Sequence, residues 1–225
     1  MMPAFESMEL EDIKLYRITH IGNVPHILKW GITHRNSPNA NPAFKSIGDI
    51  SLINTRSDKR VRVDNGDSSK RKAPSIVLGD FIPFYFGIKM PMLYVIKNGG
   101  NFVMKATPPE DIVYLVSSMK RILKLELPFY FSDGHATDNL TSFYDSSCAR
   151  EMPAIIDWKA VTAPYWGGVE NLLLKRKKQA EFLLAADLPP NQLLGMACFN
   201  EKAGSKLQSM GFDGTKIKVV PTAYY

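Results

Sequence analysis

Apolar and polar residues alternate over residues 15–21 (LYRITHI), and the β-branched content of that run predicts a short strand. Asn23 follows as a helix N-cap, Pro25 stands just inside a helix that reaches Trp30, and Gly31 stops it. Residues 33–49 lose all periodicity and are rich in Asn, Pro and Ser. They predict a long irregular segment, followed by a short helix over 50–57. Residues 64–75 (DNGDSSKRKAPS) predict an exposed loop. Two strand-like runs come next, 82–87 (IPFYFG) and 92–96 (MLYVI), with Met90-Pro91 between them. Residues 111–117 (DIVYLVS) predict a strand and 118–125 a short helix; 128–132 (PFYFS) is another strand, leading into Asp133-Gly134-His135. Helical pieces and turn signals at Pro164 and Gly167-Gly168 fill the chain to Lys178. The apolar run 181–186 stops at Pro189-Pro190, and strands over 193–199 and 217–220 enclose a helix over 201–210. Strands outnumber helices without alternating strictly, which predicts an α+β fold.

Length changes the picture little: 225 residues fit one domain, taken as residues 15–225 behind an N-terminal tail of residues 1–14. That tail is mixed and acidic, unlike a signal or transit peptide, and no run approaches a membrane span. Cys148 and Cys198 make neither a disulfide framework nor a zinc motif, and four scattered histidines argue against a metal enzyme. A soluble cytoplasmic protein is expected. Charge is more informative. The formal net charge is +6, and the cations cluster as Arg56/Lys59/Arg60/Arg62, Lys70-Arg71-Lys72 and Lys175-Arg176-Lys177-Lys178. Such clusters suit a polyanionic partner, or simply a solvated face.

Motifs for P-loop, dinucleotide-fold, hydrolase-elbow and zincin chemistry are missing from the sequence. Cys148, in SSCAR, reads more readily as packing than as a nucleophile. Glu181 opens an apolar strand directly after four cations, so its carboxylate would be held ionised. In strand alternation it shares a face with Gln179 and Leu183. On spacing alone, a glutamate at a solvent edge, paired with Arg176 or Lys177, explains it better.

Gln179-Ala180-Glu181 resembles the Q-x-E signature that begins a catalytic strand in ADP-ribosyltransferases. The wider pattern is more specific: YRITHI…N at 16–23, SIGD at 46–49 with Arg56, DFIPFYF…PML at 80–93, FSDGHA at 131–136, IDW at 156–158, KQAE at 178–181 and the closing Tyr224-Tyr225 occur in order. Together they resemble the DarT family, the DNA ADP-ribosyltransferase toxins of DarTG toxin–antitoxin systems, over nearly the whole chain.

The resemblance implies an ADP-ribosyltransferase-type split β-sandwich with flanking helices. It implies an enzyme that cleaves the nicotinamide–ribose bond of NAD+ and attaches ADP-ribose to a base of single-stranded DNA, thymine in the characterised branch. NAD+ is then the substrate, and no metal is needed. A DarG-like macrodomain antitoxin is the implied partner. Glu181 matches the catalytic glutamate, expected to hold the ribose 2′-hydroxyl and stabilise an oxocarbenium-like centre. Arg56 matches an arginine that contacts NAD+ and is proposed in the family to help remove the acceptor's proton. An arginine is a poor base, so an electrostatic and positioning role fits better; without the resemblance it reads as a surface cation. Arg17, Ile18 and Thr19 match a first-strand element lining the NAD+ pocket, and His26 and Thr33 match further contacts.

For DNA, the segment Lys89, Met90, Pro91, Met92, Leu93 and Tyr94 matches one that holds the strand, although Met92 and Tyr94 also read as strand packing. Pro164, Tyr165, Trp166 and Gly167 fall in the loop that recognises the acceptor in this superfamily. Tyr165 and Trp166 offer faces for a base, and Lys175 or Arg176 a cation for its phosphate. Two departures stand out. Some relatives carry histidine where this chain has Arg17, and many read LHD before PFYF where this chain has Leu78-Gly79-Asp80. The same chemistry on guanine, RNA or protein, and a catalytically silent nucleic-acid-binding module, are the competing readings.

Overall fold

The computed structural model describes residues 8–100, 103 and 105–225. The first seven residues of the expected tail lie outside the described residues. In chain order the elements are β1 (Lys14–His20), α1 (Val24–Trp30), α2 (Ile50–Asp58), β2 (Arg60–Arg62), β3 (Ser75–Val77), β4 (Ile82–Tyr85), α3 (Pro91–Asn98), β5 (Ile112–Ser118) and α4 (Met119–Leu123). They continue as β6 (Phe129–Ser132), β7 (Phe143–Asp145), α5 (Met152–Ile155), α6 (Trp158–Thr162), α7 (Leu172–Lys178), β8 (Glu181–Leu184), β9 (Gly195–Cys198), α8 (Glu201–Ser209) and β10 (Ile217–Val219).

Eight strands form one sheet in the order β10-β9-β5-β1-β4-β8-β6-β7, and β2-β3 form a separate hairpin. Among the described residues only the β9–β10 pair is parallel. The sheet is two four-stranded halves. Within one, β1 and β5 pair along their full length, from Lys14–Ser118 to His20–Ile112. Within the other, β8 lies between β4 and β6. The halves meet through a single register pair, Tyr16 with Tyr85, and part beyond it. This is the split sandwich with flanking helices. Its main core gathers Leu15, Phe84, Phe131 and Phe182 beneath the sheet, with Ile21 and Val24 packed in from the α1 side.

Three expectations need correction. The 92–96 run is helical, inside α3, because Pro91 takes the first turn, where its missing N–H costs nothing, and Gly99 ends the helix at φ 72°. Five apolar residues in a row carry no period that separates helix from buried strand. Asn23 precedes α1 but its side chain makes no cap bond. It is buried and used elsewhere, accepting from Lys45 N at 2.8 Å and donating to Lys45 O at 3.0 Å and Thr19 Oγ1 at 2.9 Å. Finally, β2, β3 and β7 were not foreseen, being three residues each. The irregular 33–49 segment, the 50–57 helix and the remaining strands stand where the pattern predicts, within one or two residues.

Candidate active site

Glu181 opens β8 one strand over from Tyr85, so Tyr16, Tyr85 and Glu181 form a row across the point where the halves part. It is 2% exposed, not at a solvent edge. None of the four preceding cations reaches it. Arg176 turns to Asp133 (3.1 Å), Lys177 to Asp157 (2.9 Å), and the buried Lys178 donates to the carbonyls of Val161 (2.8 Å) and Ala163 (2.9 Å). Gln179 folds back onto Lys175 O. A run of cations on one helix fans out around its axis, so adjacency in sequence did not become adjacency to the strand.

The partner is Arg56, 125 residues away in sequence. Its Nη1 lies 2.8 Å from Glu181 Oε2 and 3.1 Å from Oε1, while its buried Nη2 has no partner. Asp49 caps the helix that carries this arginine: its carboxylate accepts from Leu52 N at 3.1 Å and Ser51 Oγ at 2.7 Å. Glu181 Oε1 also accepts from the backbone N–H of Ala136 at 3.0 Å, and its own N–H is held by Ser132 Oγ. The DGHA turn thus supplies a backbone donor to the carboxylate. Arg176 braces that turn through Asp133 and Thr141. His135 stands in the same turn, with Nδ1 2.9 Å from Thr137 Oγ1, and burial lowers its pKa, leaving a neutral ring at neutral pH.

Arg56, Glu181, His135, Tyr85 and Arg17–Ile18–Thr19 line one cavity of about 180 Å³, closed on its other side by residues 44–53. Arg17 stitches the two half-sheets by donating to Pro83 O at 2.8 Å. Burial first and Arg56 second lower its pKa to about 10, so it stays charged at neutral pH. A second cavity of about 220 Å³ adjoins, shares Arg17, Thr19 and Phe44, and is lined by His26 and Thr33. The Asn23 clamp on Lys45 holds the 33–49 segment over both. Asn23, Asp49, Tyr85 and the Ala136 amide were given no role at the site from the sequence. All four stand inside motifs quoted for the family resemblance, but only Asn23 carried a local reading, as a helix N-cap, and that reading is not the role it plays.

The two segments expected to hold DNA also come together. Tyr94 (47% exposed) meets Trp166 edge-on at 5.8 Å, and Lys175 Nζ sits 5.1 Å over the Trp166 ring. Tyr165 is exposed, Pro164 too, and Gly167 is half-buried. Met90, Pro91 and Leu93 are buried in the core, so of that segment Lys89, Met92 and Tyr94 reach the surface; Met92 also lines the Glu181 cavity. Arg176 faces inward on Asp133, leaving Lys175 as the cation beside the loop. Gly79 has an explanation. A side-chain carbon there would stand 2.4 Å from Ser57 O, and His34 Nε2 bonds Gly79 O at 2.7 Å. Here a histidine from the 33–49 segment meets the backbone at that turn. Among the described residues no cluster of His, Cys, Asp and Glu is arranged to hold a metal, and no helix is long and apolar enough to cross a membrane.

Residues 16–225 match the sequence-family model described as DarT, ssDNA thymidine ADP-ribosyltransferase. A DNA ADP-ribosyl transferase of Thermus sp. (strain 2.9) is 33% identical over 199 residues, covering 88% of this chain and 86% of its own. A fusion of a DNA ADP-ribosyl transferase with a DNA ADP-ribosyl glycohydrolase from Thermosipho africanus is 27% identical over 209 residues, covering 92% of this chain and 48% of its own. The solved structure of Thermus sp. 2.9 DarT with ADP-ribosylated ssDNA superposes at TM-score 0.78, with 29% identity, over 95% of this chain and 96% of that one. Its complex with NAD+ superposes at 0.72, with 28% identity, over 95% and 98%.

Proposed function

The chain belongs to the DarT family and is a DNA ADP-ribosyltransferase that uses NAD+; from that premise we propose that it modifies thymine in single-stranded DNA, as the toxin of a toxin–antitoxin pair. The observation that carries the reading is the Arg56–Glu181 pair in a cleft where the sheet splits, with Arg56 Nη2 buried and unpartnered. A binding module needs no carboxylate held at 2% exposure on a backbone amide.

The chemistry assigns the two cavities. Glu181 must face the ribose that loses nicotinamide, so the cavity at Arg56 and Glu181 takes that end of NAD+. The adjoining one, with His26 and Thr33, takes the adenosine end. Arg17, Ile18 and Thr19 lie along the boundary. The C1′–nicotinamide bond breaks with its electron pair leaving on nicotinamide. Glu181 stabilises the positive charge at C1′ and holds the 2′-hydroxyl, while Arg56 Nη2 meets a phosphate oxygen. A ring nitrogen of the acceptor base then bonds C1′ and gives up its proton to water. Arg56, permanently charged, positions rather than accepts. Lys89, Met92 and Tyr94 with Tyr165, Trp166 and Lys175 receive the strand.

Labelled NAD+ with four single-stranded oligonucleotides, each lacking one base, tests this beside Glu181→Ala. Label lost only without thymine, and absent with the variant, is expected; label that follows guanine moves the acceptor. The toxin role, a cytoplasmic site of action and a macrodomain antitoxin that reverses the modification complete the reading. The fused glycohydrolase of the Thermosipho relative supports the antitoxin. Wild type should arrest a host that tolerates Glu181→Ala, and equal toxicity would refute the catalytic assignment.

A further inference from the structure

Lys89 stands at φ 53°, in the left-handed region that a residue with a side chain adopts only under strain. Two tyrosine hydroxyls hold it there. Tyr114 Oη accepts from Lys89 N at 3.1 Å and donates to Ala223 O at 3.0 Å. Tyr225 Oη donates to Lys89 O and accepts from Trp166 Nε1 at 2.6 Å. Tyr225 is thus the only residue among those described that hydrogen-bonds both the 89–94 segment and the 164–167 loop. Its ring packs edge-on with Tyr94 (5.4 Å) and Trp166 (6.3 Å), and Lys89 Nζ sits 5.9 Å over it. Lys97 Nζ donates to Tyr225 O. Lys89, Lys97 and Lys175 therefore surround three mutually packed rings.

We propose that Tyr225 is a positioning residue for nucleic acid: it clasps the strained Lys89 turn to the Trp166 loop, so that the two segments present one surface of rings and lysines to a DNA strand. Strained backbone persists only where surrounding structure over-determines it, and such places concentrate at functional sites. The carbonyl bond uses Lys89 as a shape rather than a side chain, so the clasp sets where the ammonium stands relative to Tyr94 and Trp166. The proposal rests on the reading of this face as the DNA side. It adds a residue that lines neither of the two cavities assigned to NAD+.

Tyr225→Phe keeps the ring and removes both hydroxyl bonds; Tyr225→Ala removes both. Binding of a fluorescent thymine-containing oligonucleotide, measured without NAD+, should weaken about tenfold for Phe and more for Ala. The KM for the oligonucleotide should rise in the same order, while the KM for NAD+ holds within about twofold. Oligonucleotide binding by Tyr225→Phe equal to wild type would overturn the proposal, as would an equal loss of NAD+ affinity. Should Tyr225→Ala fold poorly, the Phe variant alone decides. A wild-type protein that binds no oligonucleotide would overturn the reading of this face itself, a result distinct from a variant that binds unchanged.

Discussion

Glu181 separates two contributions that a single substitution can test. Glu181→Gln keeps the shape and the acceptor for the Ala136 amide but removes the charge that faces Arg56. If the carboxylate acts on the developing positive charge, kcat should fall about a thousandfold, with the KM for oligonucleotide little changed. A fall in affinity alone would make Glu181 a binding group. Lys178 makes a prediction of a different kind. Burial pushes its pKa down to about 8 from 10.5 while its amine bonds the carbonyls of Val161 and Ala163. Between those values the unfolded chain holds the proton and the folded one has released it, so stability rises with pH across that window. Lys178→Met should lack this rise. Denaturation midpoints at about pH 7.5 and about pH 9.5 measure the difference. Tyr114 and Tyr224 oppose it only from their ordinary value of 10.0 upward, because burial raises them. Parallel curves for wild type and variant would refute the lowered pKa of Lys178.

At the scale of elements, α1 shows how a loop is fastened over the site. Gly31 ends the helix at φ 82° and ψ −166°, a region that only glycine enters at low cost, and an added carbon would stand 2.0 Å from Leu188 O. Ile32 and Leu188 exchange both backbone bonds at 2.9 Å just beyond. Gly31→Ala should therefore destabilise by about 3–5 kcal/mol in chemical denaturation, through backbone strain and the clash together. Gly211→Ala, at φ 92° with open space around it, should cost only about 1–2 kcal/mol. Comparable losses would mean that the carbonyl contact is not rigid. The Gly31 stop was legible, as were β1, β4, β5 and β8, because helix punctuation and strand alternation are local. The helical state of α3 was not, because five consecutive apolar residues fit either geometry until Pro91 and Gly99 are weighed as its ends. Glu181 and Arg56 could be named through family motifs, yet no local property announces that they touch. Tyr225 was visible as part of a closing motif, but its bonds run to a backbone carbonyl and an indole in two distant segments.

Across the whole molecule the charge is unevenly placed. Between Lys59 and Lys72 the β2–β3 hairpin carries six Lys/Arg and two Asp, a surplus of four within a chain whose net is +6. It is anchored at both ends: Lys59 Nζ donates to Asn139 Oδ1 and Thr137 O, beside His135 of the cleft, and in the loop the Asn65 side chain donates to the Asp145 carboxylate and accepts from the Asp145 N–H of β7. Arg62 is paired with Asp64. Lys70, Arg71 and Lys72, by contrast, are exposed and make no salt bridge among the described residues. The hairpin grows directly from the end of α2, whose Arg56 meets Glu181, and the three exposed cations lie in the loop that joins its strands. If they lie along the path of the strand, each releases counterions when DNA binds, and affinity should fall with salt at about 0.7 log units per log unit of salt for each contact. Replacing all three by alanine should lower the magnitude of that slope by about 2 and weaken binding most at low salt. The kcat at saturating oligonucleotide and the KM for NAD+ should not change, because no residue of the triplet lines either cavity. Shortening the oligonucleotide supplies the geometric control: once the strand no longer spans from the Trp166 loop to the hairpin, wild type should lose its advantage over the variant. A slope unchanged by the triple replacement would mean that the hairpin charges serve solubility, and that the lysines around Tyr225 carry the electrostatic capture alone.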